Sequence, residues 1–550
     1  MAMLQQLTTQ TCRRIIPLAR QKLIFPPDKE WFPMTKLRHF ERLLSGPRSD
    51  RCGVRNVRLA EVVCLVFCAA TVIVSDAQTF KTLTSFDVTN GFWPTGGALV
   101  QGLDGEFYGM TNSGGAHKHG TAYKISPSGK LSTIHGFCSQ APHCSDGAFP
   151  YAGLLLATDG TFYGTTPEGG TNCAYDGCGV VFKVTPTGGL TTLYSFCPQF
   201  NCPDGAIPEA GLVQASNGNF YGTTASSGAN DSCISGCGTI FEITSAGTLT
   251  TLYSFCSQAN CADGYSPGAP LVQAANGKLY GTTSLGGINC VPNGCGTVFE
   301  ITPAGNLTTL YRFCSQASCT DGSLPVAGLA QDTSGNFYGT TKSGGANNYG
   351  TVFEITQKGA LTTLYTFCSQ PNCADGEYPV AGLFQATDGN FYGTTQDGGA
   401  YGSGTVFEIT PKGTLTTLYS FCSQLNCTDG QSPNAGLVQG TDGIFYGTTV
   451  SGGTSLCTLG CGTVFGLSIG LKPFVKTLPT SGKVGRRVAI LGNSLSGASG
   501  VTFNGTAATF KVVSNTEITT TVPSGATTGA VEVTTPSGIL KSNAAFHVVQ

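Results

Sequence analysis

A phrase that recurs seven times sets the limits on what this chain can fold into. Its clearest copy is GLFQATDGNFYGTTQDGG at residues 382–399. The Phe/Leu-Tyr-Gly core of the phrase begins at positions 54 to 59 residues apart: Phe107, Phe162, Phe220, Leu279, Phe337, Phe391 and Phe445. A nearly fixed period of this length indicates a repeat architecture, in which each unit packs on its neighbours.

Each unit has the pattern of four short β-strands. In the unit at 328–367, a Ser334-Gly335 turn separates two strands, and most other units have Asp-Gly or Asn-Gly there. Asp-Gly and Asn-Gly between apolar runs are strong hairpin signals. A Gly-Gly loop then leads to GTVFEIT and LTTLYTF, which are rich in residues that favour strands. Four antiparallel strands per unit are typical of a β-propeller blade.

The two ends of the repeat region complement each other. The last unit has three strands but no fourth, whereas TFKTLTSF at 79–86 matches a fourth strand that lacks the first three. We therefore predict an all-β fold in which residues 78–470 form a seven-bladed β-propeller, closed by the N-terminal strand and free of open edges. An open solenoid is the alternative, but it gives no reason for this match.

The first 77 residues differ from the rest. Residues 1–76 carry 12 Lys/Arg against 6 Asp/Glu, and an apolar run at 59–74 precedes Ser75-Asp76-Ala77. This pattern fits a signal-peptidase site after Ala77. We predict that 1–77 is a basic leader and signal peptide, starting at Met1 or at Met34, and that no membrane span remains after cleavage. An uncleaved signal anchor is the alternative. The mature protein is then exported, to the periplasm, the cell surface or the medium.

Cysteine spacing independently indicates export. Beyond the leader all 20 cysteines fall in close pairs, and Gly-Gly loops that lack one cysteine lack both. Six pairs follow a fourth strand, namely Cys138/Cys144, Cys197/Cys202, Cys256/Cys261, Cys314/Cys319, Cys368/Cys373 and Cys422/Cys427. Four pairs follow the Gly-Gly position, which is Ser227-Gly228 in one unit, namely Cys173/Cys178, Cys233/Cys237, Cys290/Cys295 and Cys457/Cys461. We interpret all ten as structural disulfides formed in an oxidising compartment. Zinc is the alternative, which the spacing and the scarcity of histidine disfavour.

Both classes of cysteine-bearing loop emerge on one face of the predicted ring, and the opposite face has only tight turns. Long loops that are fixed to a rigid scaffold are common places for binding residues. The alternative is that the disulfides only protect the loops from proteases outside the cell.

The last part of the chain, residues 471–550, has no cysteine and a different pattern. About seven short strands are predicted, as in an immunoglobulin-like sandwich. The stretches PTSGKVG, ILGNSL, VTFNG and VPSGATTG resemble the IPT/TIG domain family over the whole module. That family occurs in cell-surface receptors, in extracellular glycan-processing enzymes and in some transcription factors.

Residues 79–469 resemble the GloVer-type tandem repeat of exported bacterial proteins. The resemblance rests on the motif FYGTT, Gly-Gly and GTVFEIT, which covers most of the mature chain. The family has no established activity, so the resemblance implies location and architecture rather than chemistry.

Charge is divided unevenly between the two modules. The predicted propeller has a net charge of −13, whereas residues 472–550 have a net charge of +5. A basic module on an acidic ring could dock back onto the ring or onto an anionic surface, and the sequence leaves open whether it docks on the ring. Nucleic acid is a poor candidate partner, because the basic residues are scattered and the protein is exported.

One Asp-Gly recurs in six loops between blades. Its aspartates are Asp146, Asp204, Asp263, Asp321, Asp375 and Asp429. Carboxylates on one face of an acidic ring are candidate calcium ligands. The more ordinary role is that each aspartate caps its own turn, and one carboxylate per blade is far from a complete site.

Other candidate groups are sparse. His117 and His119 are a conceivable metal pair, but solvated loop histidines are the simpler interpretation. No nucleophile elbow, phosphate loop or two-histidine zinc motif is present. Acidic residues unique to one blade, Glu168, Glu209 and Asp231, show no convergent pair. The tyrosine of each repeated core is expected to pack inside the blade rather than to stack on sugars.

We therefore predict an exported, non-catalytic binding protein without a cofactor, with calcium as the one candidate ion. Its predicted partner is a polysaccharide or a surface protein, bound through the disulfide-pinned loops. A glycan-active propeller enzyme with an IPT/TIG accessory module, and a purely architectural envelope protein, are the alternatives.

Overall fold

The computed structural model describes residues 78–94, 96–140, 143–172, 177–230, 233, 236–290, 294–454, 457 and 460–549. The predicted leader and the predicted cleavage site after Ala77 lie outside these residues.

The described chain consists of β-strands and short turns. Strand β1 is Thr79–Ser85, and the repeat region continues with β2 Val100–Gln101, β3 Phe107–Thr111, β4 Thr121–Ile125, β5 Leu131–Gly136, β6 Leu155–Leu156, β7 Phe162–Thr166, β8 Val180–Val184, β9 Leu190–Ser195, β10 Val213–Gln214, β11 Phe220–Thr224, β12 Thr239–Ile243, β13 Leu249–Ser254, β14 Val272–Gln273, β15 Leu279–Thr283, β16 Thr297–Ile301, β17 Leu307–Arg312, β18 Ala330–Gln331, β19 Phe337–Thr341, β20 Thr351–Ile355, β21 Leu361–Thr366, β22 Phe384–Gln385, β23 Phe391–Thr395, β24 Thr405–Ile409, β25 Leu415–Ser420, β26 Val438–Gln439, β27 Phe445–Thr449 and β28 Thr463–Ser468. The C-terminal strands are β29 Lys476–Leu478, β30 Ser481–Gly482, β31 Arg487–Leu491, β32 Gly500–Phe503, β33 Thr506–Ala507, β34 Phe510–Val512, β35 Glu517–Thr521, β36 Val531–Thr535, β37 Gly538–Lys541 and β38 His547–Val548. Helical structure in the described residues is limited to single 3₁₀ turns at Ala259–Cys261, Ala317–Cys319, Pro371–Cys373, Leu425–Cys427 and Leu495–Gly497.

The strands of the repeat region form four-stranded antiparallel sheets. Six of these sheets use consecutive strands: β2–β5, β6–β9, β10–β13, β14–β17, β18–β21 and β22–β25. A further sheet has the order β1-β28-β27-β26, so that the N-terminal strand occupies the fourth place. In that sheet β1 pairs antiparallel with β28, from Thr79 opposite Ser468 to Ser85 opposite Thr463. The predicted all-β class and the four-stranded repeat unit are confirmed. We number the sheets 1 to 7 in chain order, with the β1-containing sheet as the seventh.

The inner strands of each sheet are buried on both faces because neighbouring sheets cover them. All five residues of β19 are buried, whereas in β21 Thr362 is exposed and the other five residues are half-buried. The glycine of the repeated core is required by this packing. A Cβ added at Gly339 would lie 2.5 Å from Cζ of Phe353 and 2.9 Å from Cδ2 of Leu329.

The repeated tyrosine joins each sheet to the next one. Tyr108 lies against Phe162 with ring centroids 4.1 Å apart, and Tyr338 lies against Phe391 at the same distance. In the last sheet, Tyr446 packs on Phe107 of the first sheet with centroids 4.0 Å apart. All of these tyrosines are buried. The tyrosine therefore packs in the core, as predicted.

The C-terminal domain is a small sandwich. Its two sheets have the strand orders β29-β31-β35-β34 and β33-β32-β36-β37. They enclose a core that includes Ile490, Val501, Phe503, Ile518 and Val533. This arrangement is the immunoglobulin-like layout that was predicted for the module.

Candidate binding face

Two sets of loops lie at the same end of the repeat sheets, and we call this end the loop face. One set joins the second strand of a sheet to the third, and the other joins one sheet to the next. The two sets are hydrogen-bonded to each other. The backbone N–H of Gly228 donates to the carbonyl of Cys202 at 3.0 Å, and the backbone N–H of Gly345 donates to the carbonyl of Cys319 at 2.8 Å. The opposite end, the turn face, carries the hairpin turns between first and second strands and between third and fourth strands.

Disulfides close most of the loops of the loop face. All six predicted pairs between sheets are bonded, as are Cys233–Cys237, Cys290–Cys295 and Cys457–Cys461. Cys178 is also disulfide-bonded. Its predicted partner Cys173 lies outside the described residues.

The structure brings together cysteine pairs that are far apart in sequence. The four sulfur atoms of Cys233, Cys237, Cys256 and Cys261 lie within 4.8 Å of one another, and those of Cys290, Cys295, Cys314 and Cys319 do the same. In sheets 3 and 4, the disulfide in the loop between the second and third strands therefore lies against the disulfide in the loop that leaves the same sheet. The spacing of each pair gave no signal of this contact, because the two pairs are separated by two strands.

A buried aspartate organises each loop between sheets. The side chain of Asp321 accepts hydrogen bonds from the hydroxyl of Tyr311 at 2.8 Å, from the backbone N–H of Ser315 at 2.9 Å and from the backbone N–H of Gln316 at 3.3 Å. The same arrangement holds Asp263, Asp375 and Asp429. These four carboxylates are buried and are occupied by donors of the protein itself. The geometry is that of a loop anchor.

Asp204 is the exception among these aspartates. Pro198 stands where other loops have serine, and proline has no N–H to donate. Asp204 accepts from the hydroxyl of Tyr194 and from the N–H of Cys197, both at 3.0 Å, while its Oδ1 is buried without a partner among the described residues.

This difference gives a matched pair of variants. We expect Asp321→Ala to lower the free energy of unfolding by about 1–3 kcal/mol, because it leaves buried N–H and hydroxyl donors unpaired. We expect Asp204→Ala to cost less, because fewer donors are lost and an unpaired buried oxygen is removed with the side chain. Urea unfolding of both variants measures the difference, and equal losses would contradict the anchor role.

In the first loop between sheets, His135 takes the place of the tyrosine. Its Nε2 lies 3.0 Å from Oδ2 of Asp146, and Ser139 donates to the same oxygen from its N–H and its hydroxyl. Burial acts to raise the pKa of Asp146, but the hydrogen bonds from His135 and Ser139 outweigh it and lower the pKa to about 2.

This shift predicts a pH dependence with a defined sign. A carboxyl whose pKa falls from 3.8 to about 2 on folding stabilises the fold above pH 3.8, and this contribution is lost as the pH falls through 2. We expect Asp146 to contribute about 2 kcal/mol at pH 6. Urea unfolding of the unmodified chain and of Asp146→Asn should therefore differ by that amount at pH 6 and converge near pH 1. A difference that persists at pH 1 would contradict the assignment.

Among the remaining candidates, His119 lies with Cys138 and Cys144 in a group whose ring nitrogen and sulfur atoms are within 4.8 Å of one another, but the two cysteines are joined in a disulfide. His119 contacts the carbonyl of His117 through Nδ1 at 2.5 Å and packs against Phe149, while His117 is exposed. The carbonyl of Glu168 accepts from the N–H of Ala148 at 3.0 Å. Asp231 lies outside the described residues.

Glu209 is half-buried beside Tyr151. Burial raises the pKa of the Glu209 carboxyl. Burial and the nearby charge of Glu209 raise the pKa of Tyr151.

The exposed apolar side chains of the repeat region are concentrated on the loop face. In the described part of 78–470, every large apolar side chain that is exposed lies in a loop of this face: Val88, Trp93, Tyr151, Phe200, Ile288, Tyr401 and Leu425. Phe200 is 93% exposed and Leu425 is 85% exposed. The turns of the turn face are instead built mainly from Asp, Asn, Ser, Thr, Pro, Lys, Gln, Ala and Gly.

The C-terminal domain contacts the turn face and leaves the loop face uncovered. The hydroxyl of Thr516 donates to the carbonyl of Leu103 at 2.9 Å. The backbone N–H of Phe474 donates to the carbonyl of Thr441 at 3.0 Å. The Lys476 ammonium donates to the carbonyl of Gln439 at 2.6 Å. A cavity of about 420 Å³ lies beside these contacts, lined in part by Leu103 and Thr516.

Charge contributes little to this docking. None of the ion pairs among the described residues joins the two modules. Burial lowers the pKa of Lys476 to about 8, and Asp442 acts against that shift. The expected attraction between a basic module and an acidic ring is thus limited to Lys476 near Asp442.

No helix in the described part of the chain has the length and apolar character needed to cross a membrane. The disulfides, the repeat and the C-terminal domain are those of an extracellular β-rich protein.

Solved structures with similar folds include proteins of several activities. One is a fungal alcohol oxidase of the AA5 family in complex with copper, at 12% identity and a TM-score of 0.47, with 86% of this chain and 99% of that chain covered. Another is an auxiliary nutrient binding protein from Bacteroides thetaiotaomicron, at 11% identity and a TM-score of 0.37, with 71% and 76% covered. A third is a PL25 ulvan lyase, at 10% identity and a TM-score of 0.37, with 62% and 86% covered. At these identities and TM-scores none of the three bears on what this chain binds or transforms.

The match to protein families identifies this chain more clearly than the similarity to solved structures does. No curated protein matches this chain. Residues 71–231, 176–375 and 369–488 match the Gloeobacter/Verrucomicrobia repeat, and residues 473–548 match the IPT/TIG domain. The chain therefore belongs to the Gloeobacter/Verrucomicrobia repeat family and carries a C-terminal IPT/TIG domain.

Proposed function

We propose that this protein is an exported, non-catalytic binding protein that recognises polysaccharide through the loop face. Its scaffold is a seven-bladed β-propeller closed by the N-terminal strand, and the IPT/TIG domain is mounted on the turn face. The observation that carries the proposal is the concentration of exposed apolar side chains on the loop face, which the C-terminal domain leaves uncovered.

The closed ring is supported by contacts between the first and last sheets. Besides the Phe107–Tyr446 contact, the N–H of Thr441 donates to Oε1 of Gln101 at 3.0 Å. Strand β1 completes the seventh sheet, so each repeat sheet has a full set of four strands. A ring of this kind is rigid, and rigidity lowers the entropy lost when its loops bind a ligand.

The composition of the loop face favours polysaccharide. Trp93, Tyr151, Phe200 and Tyr401 are exposed aromatic side chains, and such rings offer amphipathic contact surfaces at low entropic cost. Disulfides and buried aspartates hold the loops of Tyr151 and Phe200 in place. The loops of Trp93 and Tyr401 have no disulfide and are tied to disulfide-bearing loops by backbone hydrogen bonds, from Trp93 to Cys461 at 3.2 Å and from Gly399 to Cys373 at 2.9 Å. The propeller has a net charge of −13, which repels polyanions. We therefore propose a neutral polysaccharide as the ligand.

The proposal requires no cofactor and no metal ion. The carboxylates that were candidate calcium ligands already accept hydrogen bonds from the protein. Binding should therefore be the same with calcium and with a chelator.

The experiment measures binding of oxidised residues 78–550 to a panel of neutral and acidic polysaccharides, with calcium and with EDTA. The test variant combines Phe200→Ser, Tyr401→Ser and Leu425→Ser, because these side chains are highly exposed and their loss should not disturb folding. Ile539→Ser in the C-terminal domain is the matched control, since Ile539 is 65% exposed.

We expect at least tenfold weaker binding of a neutral polysaccharide by the triple variant, and unchanged binding by the control. Loss of aromatic contacts at a binding surface commonly costs more than 1 kcal/mol per side chain. Failure to bind any polysaccharide would refute the proposal and would turn attention to a protein of the cell surface as the partner.

A further inference from the structure

The starts of the first strands form a closed collar around the axis of the repeat sheets. The collar positions in sheets 1 to 7 are Ala98, Gly153, Gly211, Pro270, Gly328, Gly382 and Gly436. A Cβ added at Gly382 would lie 3.1 Å from the carbonyl oxygen of Gly328, and one at Gly436 would lie 3.4 Å from that of Gly382 and 3.6 Å from Cβ of Ala98. Neighbouring collar positions are therefore in contact, including the seventh with the first.

Two residues before the collar, on the loop that enters each sheet, lies a position that we call the rim. Its occupants in sheets 1 to 7 are Gly96, Tyr151, Glu209, Gly268, Val326, Val380 and Asn434. The rim residues are close to each other around the axis. The Oε2 atom of Glu209 lies 3.8 Å from where a Cβ of Gly268 would be, and the charge of Glu209 acts on the Tyr151 hydroxyl.

The rim is divided into a polar part and an apolar part. Asn434, Tyr151 and Glu209 belong to sheets 7, 2 and 3, on one side of the axis, and Gly96 of sheet 1 lies between Asn434 and Tyr151. Gly268, Val326 and Val380 belong to sheets 4, 5 and 6, on the other side. The repeat alone does not produce this division, because these positions are equivalent in the repeat and carry different residues.

The polar rim residues have hydrogen-bonding capacity that the protein does not use. Among the described residues, none donates a hydrogen bond to the Glu209 carboxylate, and Oδ1 of Asn434 is buried without a partner. Tyr151 is 43% exposed. A neutral pyranose ring has hydroxyl groups at its edge and C–H groups on its face. The polar part of the rim, with its free acceptors and aromatic ring, matches the hydroxyl groups, and the apolar part matches the C–H face.

We propose that the rim is a subsite for a single neutral sugar ring of the bound polysaccharide. Its hydroxyl groups donate to Glu209 and Asn434 and contact Tyr151, while a C–H face lies on Val326 and Val380. This inference rests on the proposed function and adds the place and the chemical class of the ligand.

The polar rim side chains are not needed for the fold. Beneath the rim, a hydrogen bond links each of these sheets to the next one. A threonine hydroxyl of one sheet donates it, and the backbone carbonyl of the alanine that follows the rim residue accepts it. Thr165 donates in this way to Ala210 at 2.8 Å after Glu209, and Thr340 donates to Ala381 at 3.1 Å after Val380. The link is therefore the same whether the rim residue is glutamate or valine.

This equivalence supplies the test variants. Glu209→Val and Asn434→Val each install the residue that sheets 5 and 6 already carry at the same position. Both variants should unfold at the same urea concentration as the unmodified chain, so a loss of binding can be assigned to the lost polar groups. Glu209→Gln is the conservative variant, because its amide oxygen still accepts a hydrogen bond.

The probes are neutral tetrasaccharides of glucose, of mannose and of xylose, and their binding to oxidised residues 78–550 is measured by calorimetry. We expect one of them to bind, to bind at least tenfold more weakly to Glu209→Val and to Asn434→Val, and to be rescued in part by Glu209→Gln. Ile539→Ser is again the control and should bind as the unmodified chain does.

Two results would overturn the rim subsite in different ways. If polysaccharide binds and the loop-face triple variant weakens it, while both valine variants bind as well as the unmodified chain, the subsite is wrong and the proposed function stands. If no polysaccharide or tetrasaccharide binds, both the proposed function and the subsite fail.

Discussion

Removal of β1 is expected to lower the free energy of unfolding by roughly 6 kcal/mol or more, since two packed phenylalanines are lost at about 3 kcal/mol each. The ring of Phe80 stacks on that of Tyr419 with centroids 3.7 Å apart. Phe86, just after the strand, is fully buried and contacts Tyr123 of the first sheet at 5.0 Å between centroids. Loss of β1 also leaves β28 as an unpaired edge. Urea unfolding of residues 87–550 beside residues 78–550 measures the effect.

A synthetic peptide of residues 78–87 gives the control for this experiment. Added in excess to the shortened chain, it should restore stability, because it supplies the missing fourth strand, whereas a scrambled peptide of the same composition should not. Equal stability of the two chains, without peptide, would show that β1 is not an integral strand of the ring.

Alanine at Gly339 is expected to destabilise the protein by about 1–3 kcal/mol through overpacking. The added methyl group would meet Phe353 at 2.5 Å, and both Phe353 and the neighbouring Leu329 are buried. The strain cannot be relieved at a surface, because sheets pack on either side. The change in urea midpoint of Gly339→Ala measures the loss.

Gly466 supplies the matched control within an inner strand. A Cβ at this position would meet its nearest atom, Cγ2 of Ile444, at an ordinary 3.6 Å. We expect Gly466→Ala to leave stability unchanged or to raise it by about 0.4–1 kcal/mol, because alanine restricts the unfolded chain more than glycine does. A loss at Gly466 as large as that at Gly339 would show that the cost comes from replacing any strand glycine rather than from close contact.

Much of the fold could be predicted from the sequence because its signals are local and repeated. Asp388-Gly389 marks the turn between β22 and β23, and the alternating apolar residues mark the strands that follow. The sequence also shows the isolated fourth strand at 79–86 and the absence of a fourth strand after β28. Each of these signals lies within about ten residues, and sevenfold repetition removes the ambiguity of any single copy.

The loop anchors could be predicted only in part. The sequence indicated that Asp321 either caps a turn or binds calcium, but it did not show the tyrosine hydroxyl from ten residues earlier that donates to the carboxylate. It also did not show that neighbouring disulfides touch. Both features depend on how strands bring loops together at one end of a sheet.

The rim and the docking of the C-terminal domain required the structure. Glu209 was recognised as unique to one repeat, but its neighbours Tyr151 and Gly268 are about 60 residues away on either side. Asn434 is brought to the same part of the rim because the last sheet packs on the first, where Tyr446 contacts Phe107. The net charges of the modules suggested electrostatic docking, whereas the contacts are mainly hydrogen bonds between backbone and side chains, such as Thr516 to Leu103.

The most direct test of the loop-face account is hydroxyl-radical footprinting of oxidised residues 78–550, with and without a saturating neutral polysaccharide. If the loop face binds the polysaccharide, oxidation of Trp93, Phe200 and Tyr401 falls in its presence, while oxidation of Phe510 in the C-terminal domain stays the same. Protection confined to the C-terminal domain or to the turn face, with Trp93, Phe200 and Tyr401 as reactive as before, would contradict it.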